Sequence, residues 1–138
     1  MFINKYLLLN NMIRLSLLFL SLFSLIYGIY FLLFPYNFAN LTEANYINIA
    51  WLRNIGASIT GLLFLGLLVI FIDPKKTIKL LRIITATSIF QTAALIYSRF
   101  FEEFSAQKIF LIDLTIYSAV IVSIYLLFIG IKYKDLFK

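Results

Sequence analysis

The stretch Leu15–Phe34, LSLLFLSLFSLIYGIYFLLF, decides the fold. Its twenty residues carry no charge, and Pro35 follows at once. At about 1.5 Å of rise per residue, such a run reaches about 30 Å, the thickness of a bilayer's hydrocarbon core. The apolar residues run on continuously instead of alternating, which predicts a helix and not a barrel strand. The run is too long for the apolar core of a signal peptide, and no small-x-small cleavage site follows it. A membrane span is expected here.

Three more such runs lie downstream. One falls between Arg53 and Asp73, with Pro74 next. Another falls between Arg82 and Arg99; it is short, so its ends must recruit Leu80 and Phe100 while the arginines snorkel. The last runs from about Ile109 to Ile131 and holds one charge, Asp113. The expectation is an all-α four-helix transmembrane bundle in one domain of 138 residues, with spans at about 13–34, 54–72, 79–100 and 109–131. Composition points the same way: 63% of residues are hydrophobic and 13% charged, against about 25% charged in a soluble domain. In a bilayer, helices can be apolar all round.

Lysine and arginine set the orientation. Lys5, Arg14, Lys75, Lys76, Lys79, Arg82, Lys132, Lys134 and Lys138 fall on one side, nine in all, while Arg53, Arg99 and Lys108 make three on the other. Both termini are therefore expected in the cytoplasm. The net charge of +6 is read as orientation and contact with anionic lipid, not as a nucleic-acid surface. The lipid bilayer is the first partner expected, and no nucleic acid. The chain has no Cys and no His. That removes thiolate and imidazole metal sites, haem held by either, disulfides, thiol nucleophiles and imidazole acid–base work. No metal or cofactor is expected.

Helices in lipid associate through close packing and polar contacts. Span two has Gly56-x3-Thr60 and Ala57-x3-Gly61; span one has Ser21, Ser24 and Gly28; span three has Thr85, Ser88, Gln91, Thr92 and Arg99 in one stripe. These faces are expected to point inward. Gln91 is the sharpest of them, because an amide deep in a span needs partners for two donors and an oxygen. Hydroxyls at Thr60 or Ser24, or a bound polar group, are the options.

Charge inside a span is a functional hypothesis by default. Arg53 opens span two with Asn54 beside it, Arg99 closes span three, Asp113 sits about a turn into span four, and Glu102 and Glu103 follow Arg99. With both ends inside, all of these meet at the outer membrane face. Two arginines against one Asp leave one guanidinium with spare donors, which suits an anionic ligand. Two readings stand: an ion-pair clasp, or a ligand pocket walled by Tyr27, Tyr30, Tyr97, Tyr117 and Trp51. The candidate site is Arg53, Asn54, Gln91, Arg99, Glu102 and Asp113, with no catalytic residue assigned.

Gly28 to Pro35 (GIYFLLFP), Leu52 to Gly61 (LRNIGASITG), Tyr97-Ser98-Arg99-Phe100 and an acid early in the last span resemble the short bacterial four-span membrane proteins classed as domain of unknown function 4345. In that family a Pro ends span one, an Arg followed by Gly opens span two, an Arg ends span three and an acid opens span four. Arg53, Gly56, Arg99 and Asp113 fall on those positions. The family's acid is more often Glu, and Asp113 reaches less far. The family often has a Gly-containing turn before span four, where this chain has Glu102-Glu103-Phe104-Ser105. The layout is also similar to the biphenyl-operon-associated small membrane proteins. The resemblance implies the four-span fold, the site positions and a bacterial cytoplasmic (inner) membrane, and no particular activity.

Three functions compete. One is a binding or accessory scaffold protein, holding an amphipathic or anionic molecule or docking to a larger membrane complex. Another is a small-molecule transporter or channel subunit, which would have to form a homo-oligomer to make a pore. The third is an enzyme; without His, Cys or a spaced acidic motif, none is expected.

Overall fold

The structure is a computed structural model that describes residues 2–43, 49–101 and 109–136. Among these residues six α-helices follow in order: α1 (Phe2–Leu33), α2 (Pro35–Thr42), α3 (Ile49–Ser58), α4 (Gly66–Ile72), α5 (Pro74–Phe101) and α6 (Ile109–Leu136). A π-helical stretch, Ile59–Leu65, joins α3 to α4. Four segments are long and apolar enough to cross a membrane: Asn11–Leu33, Ile49–Ile72, Lys79–Phe101 and Ile109–Lys132. The protein is a small, all-α, four-span integral membrane protein.

The two prolines punctuate the chain as expected. Phe34 leaves the helical region (φ −120°, ψ 42°) and Pro35 opens α2. Proline suits a first helical position, where its missing N–H would have had no partner anyway. Asp73 does the same between α4 and α5, at φ −133° and ψ 76°. Its carbonyl accepts from the Thr77 hydroxyl at 2.5 Å and the Thr77 amide at 3.2 Å. α2 ends on Glu43, which holds a left-handed conformation at φ 53°.

Span two departs from expectation. It starts at Ile49 and not near residue 54, so Arg53 sits a turn inside it. The connection that precedes it contains α2, and Ile49 to Trp51 are already helical. Residues 44–48 lie outside the described residues.

α1 packs along the whole of span two, and α5 packs along α6. Gly28 and Gly56 bring the first pair together backbone to backbone. A Cβ at Gly56 would come within 2.5 Å of the Leu32 nitrogen and 2.8 Å of the Gly28 oxygen. A Cβ at Gly28 would overlap the Thr60 hydroxyl, which donates to the Gly56 carbonyl at 2.8 Å. Ser21 adds a cross-helix bond to the Phe64 carbonyl at 2.8 Å. The other small-residue pair faces the opposite way: Ala57 and Gly61 are exposed, and a Cβ at Gly61 would meet nothing within 4 Å. Successive helical residues lie about 100° apart, so Gly56 and Ala57 cannot both face α1.

The two hairpins share a buried core at one end only, and at the other they meet through α2 and α6. Ile13, Leu17, Leu67, Ile70, Leu81, Ile84, Leu126 and Ile129 form one buried cluster drawn from all four spans. All of these lie toward the end that carries both chain termini, which the charge count assigns to the cytoplasm. The Tyr125 hydroxyl donates to Ser16 there. Arg14 donates to the Phe71 carbonyl at 3.0 Å, capping the C-terminal turn of α4, with its guanidinium 5.4 Å from the Phe71 ring centre. Cations suit that helix end. Toward the outer end, the buried cluster is Ile112 and Ile116 with Leu95, Ile96 and Val120, all from α5 and α6. Spans two and three pack mainly through α4, while α2 touches both α1 and α6. The bundle is thus sealed at the end that carries the termini and split at the opposite one, which the charge count assigns to the outside.

Candidate functional site

The split is a cleft of about 710 Å³, lined from all four spans and from α2. Pockets that take small molecules commonly measure about 300–1,000 Å³. Phe23, Tyr27, Phe31, Phe38 and Trp51 are its aromatic walls, and Leu63 and Val122 lie deep in it. Phe38 of α2 meets Phe31 of α1 edge to face, with ring centres 4.9 Å apart, which fixes α2 against the cleft mouth. Of the five aromatic walls expected, Tyr27 and Trp51 line the cleft; Tyr30, Tyr97 and Tyr117 do not. Tyr97 and Tyr117 are exposed, facing away from the neighbouring helices.

Among the described residues, Arg99 pairs with Asp113 and Arg53 stands apart from them. Arg99 Nε donates to Asp113 Oδ1 at 2.7 Å, and its NH2 group reaches Oδ2 at 3.4 Å. This fork clasps the outer ends of α5 and α6, and both side chains remain about 33% exposed. Arg53 is exposed, stands over the Tyr36 ring at 6.0 Å, and makes no ion pair among the described residues. Glu102 and Glu103 lie outside the described residues. Among the described residues, no charged side chain lines the cleft. Neither Arg53, Arg99 nor Asp113, expected to wall a ligand pocket, lines this cleft. Physically, a paired or snorkelling charge gains more from the membrane surface than from an apolar cleft.

What lines the cleft instead is neutral and polar. Most of its hydroxyls are bonded to protein. Ser24 donates to Leu20 at 2.8 Å, Thr42 to Phe38 at 3.0 Å, Thr115 to Leu111 at 2.9 Å and Ser118 to Thr115 at 2.7 Å, all backbone carbonyls. Ser88 and Thr92 both meet Ser123, at 2.8 and 2.9 Å, and tie α5 to α6. Six lining side chains with polar atoms have no hydrogen-bond partner among the described residues: the aromatic Tyr27 and Trp51, and the smaller Asn54, Ser58, Gln91 and Ser98. The hydroxyls expected to satisfy Gln91 are committed elsewhere, Thr60 to Gly56 and Ser24 to Leu20.

Asn54 and Ser58 are one turn apart on one face of α3; Gln91 and Ser98 are two turns apart on α5. The two helices run antiparallel, so Asn54 and Ser98 stand near the outer surface and Ser58 and Gln91 deeper. Gln91 is ten residues from Phe101, about 15 Å at 1.5 Å per residue, close to the middle of the hydrocarbon core. A bare amide at that depth costs roughly 2–7 kcal/mol when nothing bonds it. Asn54 and Gln91 were legible in the sequence as candidates; Ser58 and Ser98 were missed, although their spacings from Asn54 and Gln91 carried the signal.

No family model, curated protein or solved structure matches this chain.

Proposed function

We propose that this protein is a membrane binding protein, without catalysis of its own, whose outward-opening cleft holds a small amphipathic molecule taken from the outer leaflet. The observation that carries this reading is the set of unpartnered polar side chains, Asn54, Ser58, Gln91 and Ser98 among them, in a largely apolar cleft shared by all four spans. The Arg99–Asp113 fork serves as a clasp and not as the ligand site. The described acids offer no chemistry in the cleft, since Asp113 is engaged by Arg99 and does not line it. The bacterial cytoplasmic membrane is the location this reading adopts.

Native mass spectrometry of the purified protein released from nanodiscs tests it. The wild-type protein should retain an amphiphile at one per chain. Ser58→Phe, which fills the cleft from α3, should melt as a folded protein and release empty. Equal retention by Ser58→Phe and wild type would sink the proposal.

A transporter subunit is the second reading. Ala57 and Gly61, exposed on span two with a small-x3-small spacing, suit helix pairing in lipid. On that reading Gly61→Leu abolishes a dimer seen by cross-linking in membranes; on the first, no such dimer forms.

A further inference from the structure

We infer that the occupant of the cleft is an uncharged, single-chain amphiphile whose head both donates and accepts hydrogen bonds, held at the depth of Gln91 and Ser58 after lateral entry between spans two and three. This rests on the cleft being a binding site and adds its chemistry, depth and route.

The absence of charge among the described lining residues sets the class. A carboxylate or phosphate at Gln91 would lie in an apolar cleft with no cation among its described walls, and an ammonium would find no acid there. Either would lose its hydration without compensation. Gln91 offers two N–H donors and a carbonyl oxygen, and Ser58 a hydroxyl that can do either. Only a head with both capacities, such as an alcohol or a primary amide, pairs with all of these. The depth follows from the same pair. A lipid with its head at the surface would leave Gln91 bare about 15 Å down, so the polar end must travel inward. Asn54 and Ser98, nearer the surface on the same two helices, offer intermediate stations on that path. The volume of about 710 Å³ lies inside the range for small ligands and suits one chain, not the paired chains of a phospholipid. The route follows from packing. Spans one and two are in contact throughout, as are spans three and four, and α2 bridges α1 and α6. Spans two and three meet chiefly at α4, near the cytoplasmic end, which leaves their outer halves as the lateral opening. Asn54, Ser58, Gln91 and Ser98 belong to the two helices that flank it.

Photolabelling of the full chain in phosphatidylcholine vesicles tests this, with two probes: a long-chain primary alcohol with a diazirine in the chain, and the matching fatty acid at alkaline pH. The alcohol should label cleft peptides saturably and about tenfold more strongly than the ionised acid, a difference of about 1.4 kcal/mol. Gln91→Leu should reduce alcohol labelling by a similar factor while melting no lower than wild type, because it removes a bare amide. Ala94→Trp, at the α5 rim of the opening, should slow labelling without lowering the melting temperature. Equal or stronger labelling by the acid would overturn the neutral head and leave the binding reading standing. Unchanged labelling of Gln91→Leu would overturn the depth, and unchanged rates for Ala94→Trp the route. Saturable labelling by neither probe would overturn the binding reading itself.

Discussion

Asp113 and Arg99 are separated by only 14 residues, across the connection between adjacent antiparallel helices. Arg99 takes the carboxylate because α5 and α6 pack side by side, while Arg53 on α3 turns to the Tyr36 ring. From the sequence the three charges could be placed at one membrane level, but not paired, because level along the axis says nothing about angle around it. The fork has consequences that can be measured. Asp113→Asn keeps one acceptor for Arg99 Nε but turns an N–H₂ toward the guanidinium, whereas Asp113→Leu removes both acceptors. Thermal unfolding in bicelles should rank wild type above Asp113→Asn, and that above Asp113→Leu; an identical loss for both would show that charge alone matters. Arg99→Lys should also melt below wild type, because an ammonium cannot make the two-pronged contact. Gly56 is less forgiving. Its missing Cβ space is occupied by backbone, not by a flexible side chain, so Gly56→Ala must push α1 and α3 apart. The expected loss is about 1–3 kcal/mol, the usual range for overpacking, read by steric-trap or denaturant unfolding in bicelles. Gly61→Ala, facing open space, should change stability by less than about 0.5 kcal/mol.

At the level of elements, the four spans were legible because length and continuous apolarity are enough to identify them. The π-helical turn at Ile59–Leu65 was not, since hydrophobic periodicity in an all-apolar helix carries no phase from which an i→i+5 bond could be read. The small-residue spacings likewise could not say which face met α1, and only the Gly56 face does. A π-helix widens its turn and accommodates more residues than the α form. It stands here beside Ser58, with Ile59 and Leu63 lining the cleft, so it shapes the wall opposite Gln91. Deletion of Gly61 should allow a narrower turn while keeping Gly56 on α1 and Leu67 in the cytoplasmic core. The deletion variant is expected to remain helical by circular dichroism yet bind the photoreactive alcohol several-fold less well. Unaltered binding would separate the π-turn from the cleft. The helix α2 was also illegible: eight residues with few apolar positions read as loop, and its identity depends on Pro35, Ala39 and Thr42 being buried against the spans.

For the whole molecule, the absence of cysteine makes orientation directly measurable, because any introduced thiol reports alone. Tyr36→Cys should react with a membrane-impermeant maleimide on intact cells, and Lys132→Cys only after permeabilisation. The reverse pattern would turn the molecule over and open the cleft toward the cytoplasm. The basic residues of the sequence are what this expected orientation rests on. It could not supply the cleft, because an outward split is a property of how two hairpins lean on each other. That depends on the absence of tight contacts between α3 and α5, which no local pattern encodes.

The backbone contact at Gly28 and Gly56 also bears on how the chain is made. Spans one and two are joined along their length by contacts complete before span three is synthesised, and N-terminal units generally form first during synthesis. The first hairpin should therefore mature as a unit while the rest is still on the ribosome. The second, held by Ser88, Thr92 and Ser123 and by the Arg99–Asp113 fork, should do the same, and assembly reduces to docking two finished pairs through the core near the chain termini and the contact of α2 with α6. Such a protein tolerates being supplied as halves. Residues 1–73 and 74–138, expressed as separate polypeptides, are expected to reassociate in the membrane into one bundle.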